Sequence, residues 1–294
     1  MRKPVKNIGA SVRARLLNLA KERNQPFDLL LTRYTLERLL YRLSLSKHRN
    51  RFVLKGAMLL TSTMDDPHRP TRDLDLLGLG DPDPAGMIAV FREICSVDAG
   101  DAVIFDIAGI TVDRIRDEAE YGGLRIKTTA DVDGARVRVL VDIGFGDSTE
   151  PGLVEIDLPV LLEQPAPHLR AYPYETVIAE KFQAMVALGR ANTRLKDFYD
   201  IWVLARSHTF DEDRLARAIA ATFARRKTEI PVDVPDALTA AFAADPAKQR
   251  QWAVFVRDVA IDPGSLAEVV EQLAAFLMPH TTKARSRQIS VTDE

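Results

Sequence analysis

Two aspartates one residue apart, Asp73 and Asp75, lie in an otherwise apolar stretch of the sequence, "DLDLLGL". On a β-strand both carboxylates project from one face, about 6.5 to 7 Å apart along the chain, while Leu74 and Leu76 project from the other. Carboxylates at that spacing repel each other unless a cation lies between them, and Mg²⁺ typically takes one or two carboxylates together with substrate phosphates. The pair therefore indicates either a divalent-metal site or an edge strand with two acids facing water.

Two other segments could complete a site for a metal and a triphosphate. The strand "RVRVLVDIGF" carries Asp142 on the face opposite to its valines, so this carboxylate is either a third metal ligand or a surface acid beside Arg138. Upstream, Lys55 and Gly56 stand between a short apolar strand, "FVLK", and a helix start, "AMLL". That order places backbone N–H groups where a triphosphate could approach.

Charged residues also recur at helical spacing nearer the C-terminus. In "RLKDFYDIW", Arg194, Asp197 and Asp200 lie three residues apart, on one face of a helix, and Lys181 lies on the preceding helix. The ammonium group of Lys181 could bind a phosphate. Alternatively, these side chains form an ordinary cluster of salt bridges between two helices.

The hydrophobic periodicity divides the chain near residue 165. Residues 51–165 carry short strands, and two alternating strands flank Asp133-Gly134, which predicts a hairpin. From about Pro173 the periodicity is helical, and we assign residues 166–278 to a helical lobe. Residues 1–50 predict two helices rich in basic side chains, and the polar segment 279–294 predicts a disordered tail. We expect an α+β lobe followed by an all-helical lobe.

The charge is unevenly distributed, although the net charge is only −2. Residues 1–51 contain thirteen Lys or Arg and three acids, which suits a nucleic-acid phosphate backbone as the partner. A solvated helix surface explains the bias equally well. The leucines of "LLLTRYTLERLLYRLSLS" recur at helical spacing, so that Arg33, Arg38 and Arg42 would point outward in either case.

The composition excludes a disulfide-rich or membrane-spanning class. The chain has 294 residues, 46% of them hydrophobic, which is enough for a sizeable core. No apolar run approaches the roughly 20 residues that span a bilayer, and the basic N-terminus lacks the apolar segment of a signal peptide. The single cysteine, Cys95, rules out an internal disulfide. We therefore expect a cytoplasmic protein.

Taken together, these motifs resemble the AbiEii/AbiGii family of nucleotidyltransferase-like toxins, members of the DNA polymerase β superfamily. The similarity covers about residues 50–205: a strand followed by Lys-Gly and a helix, "RPTRDLD", a later strand aspartate, "AEKFQAM" and "RLKDFYDIW". It implies a mixed-sheet nucleotidyltransferase lobe followed by a helical lobe, with the active site in the cleft between them.

The resemblance also implies roles for individual residues. Asp73 and Asp75 match the family's metal-binding pair and Asp142 its third carboxylate, with Mg²⁺ or Mn²⁺ as the metal. Lys181 matches a lysine that holds nucleotide phosphates, and Asp197 matches an aspartate that relatives need for toxicity. Four further residues would contact the nucleotide: Lys55, Gly56, Arg72 and Arg194.

One position departs from the family pattern. Relatives often have Gly-Gly-Ser or Gly-Gly-Thr after the lysine, whereas this chain has Gly56, Ala57 and Met58. The hydroxyl expected at Met58 is missing, and the candidates to replace it are Thr61 and Ser62, about one helical turn further. An altered nucleotide preference or a slower enzyme would follow.

The implied reaction transfers a nucleotide from an NTP to an RNA hydroxyl, in relatives that of tRNA, so that translation stops. Asp142 would position or deprotonate that hydroxyl. The implied partner is a separately encoded winged-helix antitoxin. Two alternatives use the same residues: nucleotidyl or phosphoryl transfer to a protein hydroxyl, and a catalytically silent module that binds RNA or a partner protein. The silent module draws its best support from Met58.

Overall fold

The computed structural model describes residues 7–62, 69–115 and 122–292, with side chains as far as residue 287. The chain divides into two compact units. The first comprises Met1–Asp65, Pro70–Gly146 and Glu155–Ala171, and the second comprises Asp66–Arg69, Asp147–Val154 and Tyr172–Glu294. The N-terminal helices therefore belong to the same unit as the strands.

The first unit is built on a mixed β-sheet. Its strands are β1 (Phe52–Lys55), β2 (Leu74–Gly78), β3 (Ile104–Phe105), β4 (Thr111–Ile115), β5 (Gly123–Val132), β6 (Ala135–Phe145), β7 (Val154–Asp157) and β8 (His168–Ala171). Their order is β3-β5-β6-β2-β1-β8-β7, and β4 also pairs with β5. Strand β2 runs antiparallel to β1 and parallel to β6, while β1 runs parallel to β8. The expected mixed sheet is confirmed.

The two faces of the central strands differ in polarity. In β6, Val139 and Val141 are buried, whereas Asp142 is part-exposed. The predicted hairpin between β5 and β6 is confirmed, since Asp133 and Gly134 adopt φ values of 52° and 78° in the turn. Alternation along both strands leaves one face of the sheet apolar and the other lined by charged side chains.

The helices described in the first unit are α1 (Ile8–Glu22), α2 (Phe27–Leu45), α3 (Gly56–Leu60) and α4 (Pro84–Cys95). Helix α2 packs against β6 and α4. Side-chain oxygens of Asn7 and Asp83 cap α1 and α4 by accepting hydrogen bonds from backbone N–H groups of the first turn. These caps fix where two of the helices begin.

Helix α2 is buried on almost all sides, and the prediction that its arginines point outward is wrong. Arg33, Arg38 and Arg42 are 5%, 1% and 3% exposed. Arg42 donates two hydrogen bonds to Asp101, at 2.6 and 2.8 Å, and Arg33 donates one to Glu37 at 2.8 Å. Leucine spacing could not reveal this, because buried acids neutralise the arginines inside the unit. These three basic side chains bind partners inside the unit and present no surface to a nucleic acid.

The second unit is helical, as predicted. Its helices are α5 (Tyr174–Leu188), α6 (Leu195–Ser207), α7 (Glu212–Arg225), α8 (Ala240–Ala243), α9 (Pro246–Phe255) and α10 (Leu266–Thr292). Gly189 ends α5 with a φ of 48°, and Ser265 forms a capping box with Glu268 at the start of α10. Across the described part of both units, no helix has the length and apolarity that crossing a bilayer requires.

The C-terminal end differs from the disordered tail predicted for 279–294. Helix α10 continues through Pro279, and Ala284 is fully buried. Arg287 pairs with Asp213 of α7 at 2.6 Å. The segment is helical because α10 packs on α7. This tertiary contact could not be predicted from the polar sequence of the segment. The last two residues lie outside the described part of the chain.

Candidate active site

A row of four charged side chains crosses the sheet of the first unit. Lys55 of β1 lies opposite Asp75 of β2. Asp75 lies beside Asp142 of the parallel strand β6, and Asp142 lies opposite Arg125 of β5. Cross-strand neighbours of this kind have Cβ atoms about 4.5 to 5.5 Å apart and share a face. The sheet therefore holds two carboxylates side by side, with a cation at each end of the row.

Asp73 directly precedes β2. Its Oδ1 accepts a hydrogen bond from the Thr71 hydroxyl at 2.9 Å. Asp73 and Asp75 are part-exposed, whereas Leu74 and Leu76 are buried. The alternation predicted for this stretch is confirmed, and its acids lie on the accessible side.

Gly56 lies against the carboxylate of Asp75. Its φ of 68° belongs to a region that other residues disfavour, and a Cβ at this position would lie 2.0 Å from Asp75 Oδ2. Only glycine allows this approach. The Lys55-Gly56 motif therefore also sets the position of a carboxylate in the charged row.

Asp142 already has a strong partner. Both of its carboxylate oxygens accept hydrogen bonds from Arg125, each at 2.6 Å. This interaction is the largest of the causes that raise the pKa of the Arg125 guanidinium. Sequence reasoning missed Arg125, although the register counted back from the Asp133-Gly134 turn places it opposite Asp142.

The region after Gly56 is less accessible than the sequence suggested. Thr61 is 2% exposed and its hydroxyl donates to the carbonyl oxygen of Met58 at 2.7 Å, which is at odds with its replacing a phosphate-binding hydroxyl. Met58 itself is fully buried. Ser62 also donates to a backbone carbonyl of α3, but it is part-exposed. Arg72 is exposed and pairs with an acid of α2 at 2.8 Å.

The charged residues predicted in the helical lobe form one cluster within the second unit. Lys181 of α5 donates to Asp197 Oδ1 at 2.7 Å and lies 2.8 Å from Asp200 Oδ2. Arg194 donates to the other oxygen of Asp197 at 2.6 Å. Arg69, which sequence reasoning missed, donates to both oxygens of Asp200, at 2.7 and 2.8 Å. The interhelical salt-bridge cluster considered as an alternative is therefore present.

Opposite charges outweigh burial in this cluster. Burial alone would raise the pKa of Asp197 and Asp200 and lower that of Lys181. Instead, Lys181 together with Arg194 lowers the pKa of Asp197, and Lys181 together with Arg69 lowers that of Asp200. The two carboxylates in turn raise the pKa of Lys181. At neutral pH the cluster holds three cations and two anions, and an excess positive charge suits the binding of a phosphate.

The carboxylates of the sheet fit a hard divalent cation by donor type. Mg²⁺ prefers oxygen ligands and usually takes one or two carboxylates with substrate phosphates, which Asp73 and Asp75 can offer. Among the residues that the structure describes, no group of three or more His, Cys, Asp and Glu side chains is assembled as a metal site. Asp142 is already paired with Arg125, so a metal bound there would compete with the guanidinium for the same carboxylate.

Comparison with known proteins decides the family. The family model described as "Nucleotidyl transferase AbiEii toxin, Type IV TA system" matches residues 38–276, which is most of the chain. The chain belongs to the AbiEii family. It is therefore a nucleotidyltransferase toxin of a type IV toxin–antitoxin system, and an antitoxin is its expected counterpart. The sequence resemblance to this family is confirmed.

Two solved structures from Helicobacter pylori match this AbiEii chain over most of its length. The JHP933 protein is 16% identical with a TM-score of 0.49, and the match covers 90% of this chain and 97% of that one. A protein described as a candidate nucleotidyltransferase is 17% identical with a TM-score of 0.48, with 87% and 96% covered. Among curated proteins, none matches significantly.

Proposed function

We propose that this AbiEii protein transfers a nucleotide from an NTP to a hydroxyl group of RNA, in particular of tRNA. The observation that carries the proposal is the placement of Asp75 and Asp142 on neighbouring parallel strands of the charged face, with Asp73 two residues away. Rigid strands hold these acids in place before any substrate binds, and such preorganisation is what nucleotidyl transfer requires.

Asp73 and Asp75 would hold Mg²⁺ or Mn²⁺, and Asp142 would be the third carboxylate. Bound metal supplies charge neutralisation and orientation for the triphosphate. Lys55, at the end of the row, would add a positive charge near the phosphates. Asp142 would orient the acceptor hydroxyl and take its proton as the oxygen attacks the α-phosphorus and pyrophosphate leaves.

The ion cluster of the second unit would contribute positive charge to nucleotide binding. Lys181 is 11% exposed and Arg194 is 51% exposed, so both can meet a phosphate from solvent. Asp197 has no exposed side-chain surface and binds both of these cations. Its proposed role is therefore to position Lys181 and Arg194 rather than to touch substrate.

The biological consequence follows from the family. Addition of nucleotides to tRNA would block translation, and a separately encoded winged-helix protein would be the antitoxin. Growth of cells that express the toxin, with and without its genomic neighbour, tests this pairing.

Purified protein, incubated with total tRNA, Mg²⁺ and each α-³²P-labelled NTP in turn, tests the reaction. We expect label on tRNA from the wild type and at least a hundredfold less from Asp75→Asn, because the metal would lose a ligand. Asp81→Asn, at an exposed acid just after β2, is the matched control and should keep its activity. Absence of label with every NTP would contradict the proposal.

The same assay, run in parallel with γ-³²P-labelled NTPs, separates the alternatives. Transfer of γ-label without α-label would indicate a phosphoryl transferase, and label on protein instead of RNA would indicate a protein acceptor. A buried Met58 in place of the family hydroxyl is the feature that favours a silent binding module. That module predicts that Asp73→Asn, Asp75→Asn protein inhibits growth as strongly as the wild type.

A further inference from the structure

Arg125 occupies the carboxylate that the proposed metal site would use as its third ligand. We propose that Arg125 is a positioning residue that holds Asp142 in the metal-free enzyme and releases it when the metal and nucleotide enter. The released guanidinium then pairs with the phosphates of the nucleotide. This role presupposes the metal site of the proposed function and adds to it a residue outside the sequence motifs on which the family resemblance was based.

The guanidinium of Arg125 binds Asp142 in the place where a metal cation would bind. Two parallel hydrogen bonds of 2.6 Å fix both oxygens of Asp142. A carboxylate has lone pairs to spare, but a guanidinium and a divalent cation on the same group repel each other. Asp142 pairs with Arg125 on one side and with Asp75 on the other, so the guanidinium is bound to the immediate neighbour of a proposed metal ligand. Entry of a metal therefore works against the Arg125–Asp142 pair.

Accessibility distinguishes this pair from a structural one. The side chain of Arg125 is 40% exposed and that of Asp142 is 21% exposed. The similar bidentate pair of Arg42 and Asp101 is buried, at 4% and 2%, and can open only if the core opens. Arg125 can exchange partners by side-chain rotation alone. Phosphate is a suitable new partner, because its oxygens also accept bidentate hydrogen bonds from a guanidinium.

Mn²⁺ affinity, measured by electron paramagnetic resonance of the free ion in the absence of nucleotide, tests the exchange. Arg125→Gln should bind Mn²⁺ about tenfold more tightly, because Asp142 is freed and a nearby positive charge is removed. The gain should vanish in the Asp142→Asn background. Arg138→Gln is the matched control, since Arg138 is exposed on the same strand, four residues from Asp142. Its Mn²⁺ affinity should change by less than twofold.

Nucleotide affinity in saturating Mn²⁺ is the second readout. Here Arg125→Gln should bind NTP several-fold more weakly, although it binds Mn²⁺ more tightly. A purely structural role for Arg125 would not change the two affinities in opposite directions. Unchanged or weaker Mn²⁺ binding by Arg125→Gln, or an equal gain with Asp142→Asn present, would overturn the role of Arg125. Mn²⁺ binding by the wild type no better than by the Asp73→Asn, Asp75→Asn double variant would instead reject the metal site itself.

Discussion

Gly56 and Asp75 are packed so closely that a methyl group at position 56 would lie 2.0 Å from Asp75 Oδ2 and 2.6 Å from Asp75 Cβ. Rotation of the carboxylate cannot relieve both clashes, so the strand or the glycine backbone would have to move. The Lys-Gly sequence between β1 and α3 therefore does more than approach a phosphate. It also determines where one of the proposed metal ligands lies.

Gly56→Ala should lower the rate of nucleotidyl transfer by about a hundredfold, because displacement of a ligand by an ångström is enough to disturb a preorganised site. Because alanine disfavours a φ of 68°, the substitution should also lower the free energy of unfolding by about 1 kcal/mol. Gly134→Ala is the control for that penalty. It has a φ of 78° but no atom within 4 Å of the added Cβ, so it should lose stability and keep its activity. Equal activities of the two variants would refute the role of the close packing at Gly56.

Asp200→Asn should destabilise the protein by about 3 to 5 kcal/mol, the usual cost of removing one partner from a buried ion cluster. Asp200 has no exposed side-chain surface and binds Lys181 and Arg69, so both cations would lose a charged partner. Urea unfolding measures the effect. Asp213→Asn is the control, because Asp213 is 49% exposed and its ion pairs with α10 are in water. A destabilisation by Asp200→Asn as small as the control's would show that the cluster adds little stability.

The contribution of this cluster should depend on pH in a defined direction. The pKa values of Asp197 and Asp200 are lowered in the folded state, so the unfolded state binds more protons once pH falls to their ordinary value of about 3.9. The stabilisation is therefore complete above that value and is lost as pH falls through the folded-state pKa values. We expect the difference in unfolding free energy between wild type and Asp200→Asn to be constant from about pH 7 to pH 5 and to shrink below about pH 4. A difference that grows in acid would contradict this sign.

Local signals in the sequence predicted the carboxylate face well. Alternation of polar and apolar residues is a property of a strand itself, so Asp73 and Asp75 could be assigned to the accessible side before the sheet was known. The Asp133-Gly134 turn likewise specifies a two-residue hairpin, and the pairing of the two strands follows by counting residues outward from the turn. Arg125 could have been found in this way, because it pairs with Asp142 in that register.

Interactions between distant segments could not be predicted in the same way. Arg69 and Asp200 are 131 residues apart, and no periodicity links them. For Arg42, helical spacing suggested a solvent-facing side chain, yet Asp101 draws it into the core. The energy of a buried charge depends on a partner that only the tertiary structure supplies.

With the α2 arginines buried, helix α1 is one basic surface that RNA could reach in the described part of the N-terminal segment. Arg13 and Arg15 are exposed there. Replacing both with Gln should weaken tRNA binding and reduce the slope of log K against log salt by about 0.7 for each phosphate that the protein no longer neutralises. Arg250→Gln, Arg257→Gln removes the same charge from exposed positions of the second unit and is the control. Filter binding across a salt series measures both slopes. If the two double variants weaken binding equally, long-range charge rather than direct binding by α1 attracts the RNA.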